Sequence, residues 1–277
     1  MDKKAELLEE RAIKKVINEE LGINDEVRKM SHEITKTVIE NYNGSGSYVL
    51  NFDILGEKYE FNFTFKDYPK LSLTPDSGDA LYMGVTYFDY GMVVIDGYTV
   101  KGKILEERLR EVIQHEVHHI FEIQTSKKSG FLGDAVSRSL YITATKEAKN
   151  KQNSTVRRGI GYAIYLSYAF ETRAFENGTY AFIMSHTLNF MGDELKVAKS
   201  SGFYQRILLI RDTYDFIIKN QDEASDIAKD IYGKSYKWLK KTVTFALKEC
   251  RRQFSRAVVK AGDDYDWTHG GKTSITV

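Results

Sequence analysis

The segment His115-Glu116-Val117-His118-His119 constrains this chain more than any other. On a helix, positions i and i+4 lie about 40° apart, so the imidazoles of His115 and His119 point the same way and can share one metal ion. Glu116 lies about 100° round from His115, beside such an ion without being aimed at it. That is the place for a base that holds a metal-bound water. Six His in 277 residues give this His-Glu-x-x-His spacing by chance about once in a hundred chains, so coincidence is a poor explanation. The flanks read as helix. Leu105, Leu109, Val112, Ile113, Val117, Ile120 and Phe121 form a wide apolar stripe, with His115 and His119 at its edge, where a helix lines a cleft. His118 falls on the far side, where solvent is expected, and Glu122 reads as a surface carboxylate near the histidine edge.

A catalytic zinc needs a third protein ligand and an open fourth position. A histidine ten positions after the first, preceded by a glycine, is ruled out, because Ile120-Phe121-Glu122-Ile123-Gln124-Thr125 fills that stretch. An aspartate in a Gly-Thr-x-Asp setting is missing too, since Gly178-Thr179 is followed by Tyr180-Ala181. A glutamate on a later helix is the layout left. Read as one helix over 156–188, the chain places Ile160, Ile164, Tyr168, Phe175 and Phe182 within about 60° of Glu171. A carboxylate in the middle of an apolar face must be paired or bind a metal. Glu176 lies about 140° away on a more mixed side. The angles favour Glu171 as the ligand over Glu176, and a core salt bridge is the plain alternative for Glu171.

With His115-Glu116-x-x-His119 followed by Glu171-x-x-Ala174, the chain resembles the gluzincin branch of the zincin metallopeptidases over roughly residues 80–188. Phe175 stands where the thermolysin-like pattern has an aspartate, so no subfamily follows. The resemblance implies a zinc-dependent metallopeptidase acting on a peptide or protein substrate. His115, His119 and Glu171 would hold one Zn2+ per chain, and Glu116 would be the general base that takes a proton from the attacking water and returns it to the leaving amine. His186 is the expected catalytic donor to the oxyanion, because on a continuous helix it falls about 60° from Glu171; Tyr168 and Arg173 are further candidates. An extended substrate is expected along a strand at about Tyr82 to Phe88 or Met92 to Ile95.

The rest of the chain supplies the frame. Residues 3–21 and 24–42 read as amphipathic helices. Tyr48, Leu50, Phe52 and Ile54, then Tyr59, Phe61, Phe63 and Phe65, alternate across a hairpin at Gly56-Glu57. A second strand pair is expected at about 80–88 and 91–97, and beyond 103 only helices, at about 104–125, 132–150, 156–188, 202–220 and 234–261. This predicts an α+β fold, zincin-like, with a small antiparallel sheet, the active-site helix and a mostly helical C-terminal half. The expected organisation is an N-terminal helical segment (1–42), a catalytic core (43–190), a C-terminal helical subdomain (191–262) and a flexible tail (263–277).

Composition limits the alternatives. A net charge of +1 points to neither nucleic acid nor a membrane as partner. The single cysteine, Cys250, excludes an internal disulfide and a thiolate-rich zinc site. The N-terminus lacks the apolar core of a signal peptide and no apolar run reaches a membrane span, so a cytoplasmic location is expected. Rich use of Lys, Asn, Ile and Tyr suggests an AT-rich microbial or phage genome. Two rival readings remain. One is a zinc-binding structural or assembly protein without peptidase activity, against which Glu116 argues. The other is nucleic-acid or partner binding through the basic C-terminal helix, where Lys234, Lys237, Lys240, Lys241, Lys248, Arg251, Arg252, Arg256 and Lys260 lie opposite the apolar stripe Leu239, Val243, Ala246, Leu247 and Phe254. The plain expectation for that helix is a solvated face on a packed scaffold.

Overall fold

A computed structural model describes residues 25–44, 46–67, 82–87, 90–125, 135–150, 152–186 and 194–269. The chain is α+β, in two compact units. The expected helix at 3–21 and the end of the expected tail, 270–277, lie outside the described residues.

Among the described residues, the first unit holds a helix, α1 (25–41), a five-stranded sheet and a second helix. Strands β1 (Ser47–Ile54) and β2 (Glu57–Asp67) form the expected hairpin, with Tyr48 opposite Phe63 and Phe52 opposite Tyr59. Its turn has positive φ at both Leu55 (54°) and Gly56 (82°). That is the mirror-image turn geometry that suits the right-handed twist of two paired strands. Gly56 accepts it without strain, and its N–H donates to Asp53 Oδ1 at 2.9 Å.

Strands β3 (Tyr82–Tyr87) and β4 (Met92–Val100) pair antiparallel, as the second strand signal predicts. A two-residue strand, β5 (Lys103–Ile104), turns back on β4 where no strand is expected. The sheet order is β1-β2-β4-β3, and β2 pairs with β4 in parallel. The sheet is therefore mixed rather than antiparallel. Turn chemistry sets pairing within each hairpin but says nothing about how two hairpins join. The join follows the apolar faces: Phe61 lies beside Val93 and Phe63 beside Ile95, all four fully or nearly fully buried. Alternation along β2 is clean, with Tyr59, Phe61, Phe63 and Phe65 buried and the residues between them less so, as in a sheet covered on one face. Val27, Ile34 and Val38 of α1 are buried, and the carbonyl of Val38 accepts the Tyr48 hydroxyl at 3.2 Å.

Helix α2 (Glu106–Thr125) packs against β3 and β4. Glu106 and Glu107 stand in its first turn, where the helix dipole favours negative charge.

The second unit is helical: α3 (Ala135–Lys149), α4 (Thr155–Tyr165), α5 (Ala169–His186), α6 (Glu194–Ala198), α7 (Gly202–Lys219), α8 (Gln221–Tyr232) and α9 (Tyr236–His269). Ser154 and Ser201 cap α4 and α7 by accepting Arg157 N at 3.3 Å and Tyr204 N at 3.2 Å. Ile160, Ile164, Phe182, Phe203, Ile210, Leu239 and Val243 belong to one buried cluster. The helix expected over 156–188 is two helices, broken between Tyr165 and Ala169. Helix α9 runs through His269, into the stretch expected to be tail. Among the described residues, no helix is long and apolar enough to cross a membrane.

Candidate metal centre

On the first unit, α2 carries the motif in its most buried stretch. Every residue from Ile113 to Phe121 is buried. His115 and His119 sit one turn apart, with Nε2 atoms 3.1 Å from each other and rings edge to face. Two imidazole nitrogens at that separation share a proton or a cation. Tetrahedral zinc, with Zn–N near 2.0–2.1 Å, sets its ligand atoms about 3.3 Å apart, so the histidine pair has the spacing the ion requires.

Glu116 turns toward β3. Its Oε2 accepts the hydroxyl of Thr86 at 2.6 Å. It reaches that place because residue 84 is glycine. A Cβ there would come within 2.5 Å of both Glu116 Cγ and Oε1. Strand β3 thus supplies a notch at Gly84 and a hydroxyl at Thr86 two residues on, on the same side of the strand. Neither residue is among those singled out from the sequence.

His118 does not face solvent. It is buried, and its Nε2 lies 3.3 Å from Glu122 Oε2. The far side of a helix faces water only when one face alone is covered, and this turn is covered more widely. Glu122, expected as a surface carboxylate, is correspondingly half-buried.

On the second unit, Glu171 stands in the first turn of α5 and is 2 % exposed. Two tyrosines donate to it. Tyr141 of α3 donates to Oε1 at 2.5 Å, and Tyr165, the last residue of α4, donates to Oε2. A carboxylate has about four lone-pair sites, so its bonding capacity extends beyond these two hydroxyls. Glu176, the second choice, is ion-paired to Arg256 of α9 at 3.2 Å.

His186 is at the other end of α5, its Nδ1 2.8 Å from the carbonyl oxygen of Phe182. Fifteen residues of helix separate it from Glu171, about 22 Å of rise. A side chain so placed cannot reach the reacting atoms at a metal held by Glu171. The angle that relates His186 to Glu171 gives position around a helix and not along it. Tyr168, the second oxyanion candidate, gives its hydroxyl to the Ser137 carbonyl at 2.9 Å.

Ligand atoms of His115, His119 and Glu171 all lie within 4.8 Å of one another, and all three residues are buried. Two imidazole nitrogens and a carboxylate oxygen at this separation are close enough to hold a metal ion, and the donor set suits a divalent cation. No protein-family model, curated protein or solved structure matches the chain.

Proposed function

We propose that the chain is a zinc-dependent hydrolase of the peptidase class, with His115, His119 and Glu171 as ligands and Glu116 as general base. The observation that carries this reading is the placement of Glu116. A site that only binds metal has no use for a carboxylate beside its ligands, yet here β3 gives up a side chain at Gly84 and aims the Thr86 hydroxyl to hold that carboxylate still.

When bound, the metal supplies Lewis-acid polarisation of a carbonyl and acidifies its water. The protein residues supply the rest. Thr86 engages Oε2 of Glu116 and leaves Oε1 to accept the proton of the attacking water and to pass it to the leaving amine. The two tyrosines fix the Glu171 carboxylate before any metal arrives, which lowers the ordering cost of assembling three ligands. Burial of the histidines and of Glu171 limits water around the reacting atoms. Strand β3 is an edge strand of the sheet in the described residues, and its free edge suits an extended peptide backbone.

The test is elemental analysis of the purified protein beside Glu171→Gln and Glu116→Gln. One zinc per chain in the wild type and in Glu116→Gln, loss of zinc in Glu171→Gln, and hydrolysis of a peptide library by the wild type alone are expected. A Glu116→Gln protein that cleaves peptides as the wild type does would remove the mechanism. A wild type that holds no divalent ion after reconstitution would remove the site.

A further inference from the structure

The net charge of +1 conceals an uneven distribution. Residues 1–125 carry 15 Lys and Arg against 23 Asp and Glu, a net of −8, whereas residues 126–277 carry 25 against 16, a net of +9. Asymmetry of this size between two parts of a chain is a signal for a polyanionic partner that the total charge does not give.

The excess is concentrated on α9. Over 236–262 this helix has eight Lys and Arg and one acid, Glu249. Its apolar side is used up: Leu239, Val243, Ala246, Cys250, Ala257 and Ala261 are buried in the unit's core, where α5, α7 and α8 pack on it. Three of the eight cations are engaged. Arg252 pairs with Glu249, Arg256 with Glu176, and Lys260 lies over the Tyr180 ring. The other five, Lys237, Lys240, Lys241, Lys248 and Arg251, are exposed, and no carboxylate among the described residues pairs with them. At 100° per residue they fall within about a 100° arc, spread over roughly 21 Å of helix. Phe245 flanks this row and is 52 % exposed, an aromatic ring left in water beside five unneutralised cations.

We propose that this face of α9 binds single-stranded nucleic acid, with the five cations on successive phosphates and Phe245 stacking on a base. Phosphate contacts supply sequence-independent affinity, and a ring supplies a stacking platform that any base can use. A membrane surface fits less well. A helix lying in a bilayer interface must bury an apolar face in the lipid, and the apolar face of α9 is already buried in protein. The binding face shares no residue with the proposed base and metal ligands, so the proposal stands or falls apart from the hydrolase reading.

The experiment is fluorescence anisotropy of a labelled 20-nucleotide single strand, as DNA and as RNA, titrated with the full chain between 50 and 200 mM salt. Five phosphate contacts predict a log K against log salt slope of about −3.5, or roughly a hundredfold loss of affinity over that range. Replacing Lys237, Lys240, Lys241, Lys248 and Arg251 together by Gln changes only exposed positions and keeps good helix formers. It should bring the slope close to zero. Phe245→Ala should weaken binding about 5- to 100-fold without changing the slope. A wild-type slope shallower than −1, or a five-Gln variant that binds as the wild type does, overturns the proposal. So does binding to phosphatidylserine vesicles without binding to the oligonucleotide. Tighter binding of the corresponding duplex would overturn the single-strand assignment.

Discussion

Gly84→Ala tests the placement of Glu116 more sharply than removal of Glu116 itself. The new Cβ would lie 2.5 Å from Glu116 Cγ and Oε1 and 2.7 Å from Cδ. Carbon atoms settle about 3.5–4.0 Å apart, so the glutamate must retreat by about 1 Å. The three nearest atoms belong to one side chain and none to backbone, so the glutamate is the group that must yield first. A retreat of 1 Å breaks the 2.6 Å bond to Thr86 and takes the base off its water. A displacement of that size costs about a hundredfold in rate. Zinc content should not change, because Glu116 is not a ligand in this reading. Stability provides a check that needs no activity. With Glu116 in place the overpacked alanine should cost about 1–3 kcal/mol. In a Glu116→Ala background the obstacle is gone, and the same substitution should be neutral or stabilise by up to about 1 kcal/mol through the lost freedom of the unfolded glycine. Thermal denaturation of the four proteins measures the coupling, and peptide turnover at full metal content measures the rate. Equal stability effects in both backgrounds, or turnover within threefold of wild type, would refute the argument that Gly84 exists to admit Glu116.

Three other outcomes follow from the same packing. Tyr141→Phe and Tyr165→Phe each remove one hydroxyl from Glu171 and should weaken metal binding about 10- to 100-fold in a chelator competition, at a cost of about 1.5–3 kcal/mol in stability; unaltered affinity would show that the tyrosines merely pack. Gly161→Ala should destabilise by about 1–3 kcal/mol or more in a melt, because its Cβ would lie 2.6 Å from Ala148 N and 2.8 Å from Ala144 O, backbone atoms of α3 that cannot swing aside. Burial, with a contribution from Glu249, pushes the Cys250 thiol well above its ordinary value of 9.0. Its neutral form is favoured in the fold, so this contribution to stability is full below the unfolded value and is lost as pH rises above it, and a thiol reagent at pH 8 should label the chain only after denaturation.

The parts of the fold that were legible in the sequence were those specified over short range. The β1–β2 hairpin follows from alternation and a two-residue turn, and α2 follows from its apolar stripe. What escaped depends on residues far apart in sequence. Thr86 lies 30 residues from Glu116, and Tyr141 lies 30 from Glu171. A threonine in a strand and a tyrosine in a helix are ordinary residues until the fold brings a carboxylate to them. Gly84 carried a faint signal, since a glycine inside a strand pattern often marks a close approach by another group.

Glu171 shows how an inference can reach a residue through a premise that fails. The angles that placed it on an apolar face assumed a continuous helix from 156 to 188, and the chain breaks between Tyr165 and Ala169. What survives the break is the physical point that a carboxylate among apolar neighbours needs partners. The break itself helps to supply them. It puts Tyr165 at the end of one helix and Glu171 in the first turn of the next, so that the tyrosine can turn back onto the carboxylate six residues on. On an unbroken helix, residues six apart lie about 120° from the nearest full turn and about 9 Å along the axis, too far around the surface to meet. The same break removes the basis for His186, whose angle was measured along that helix and whose distance from Glu171 the angle never contained.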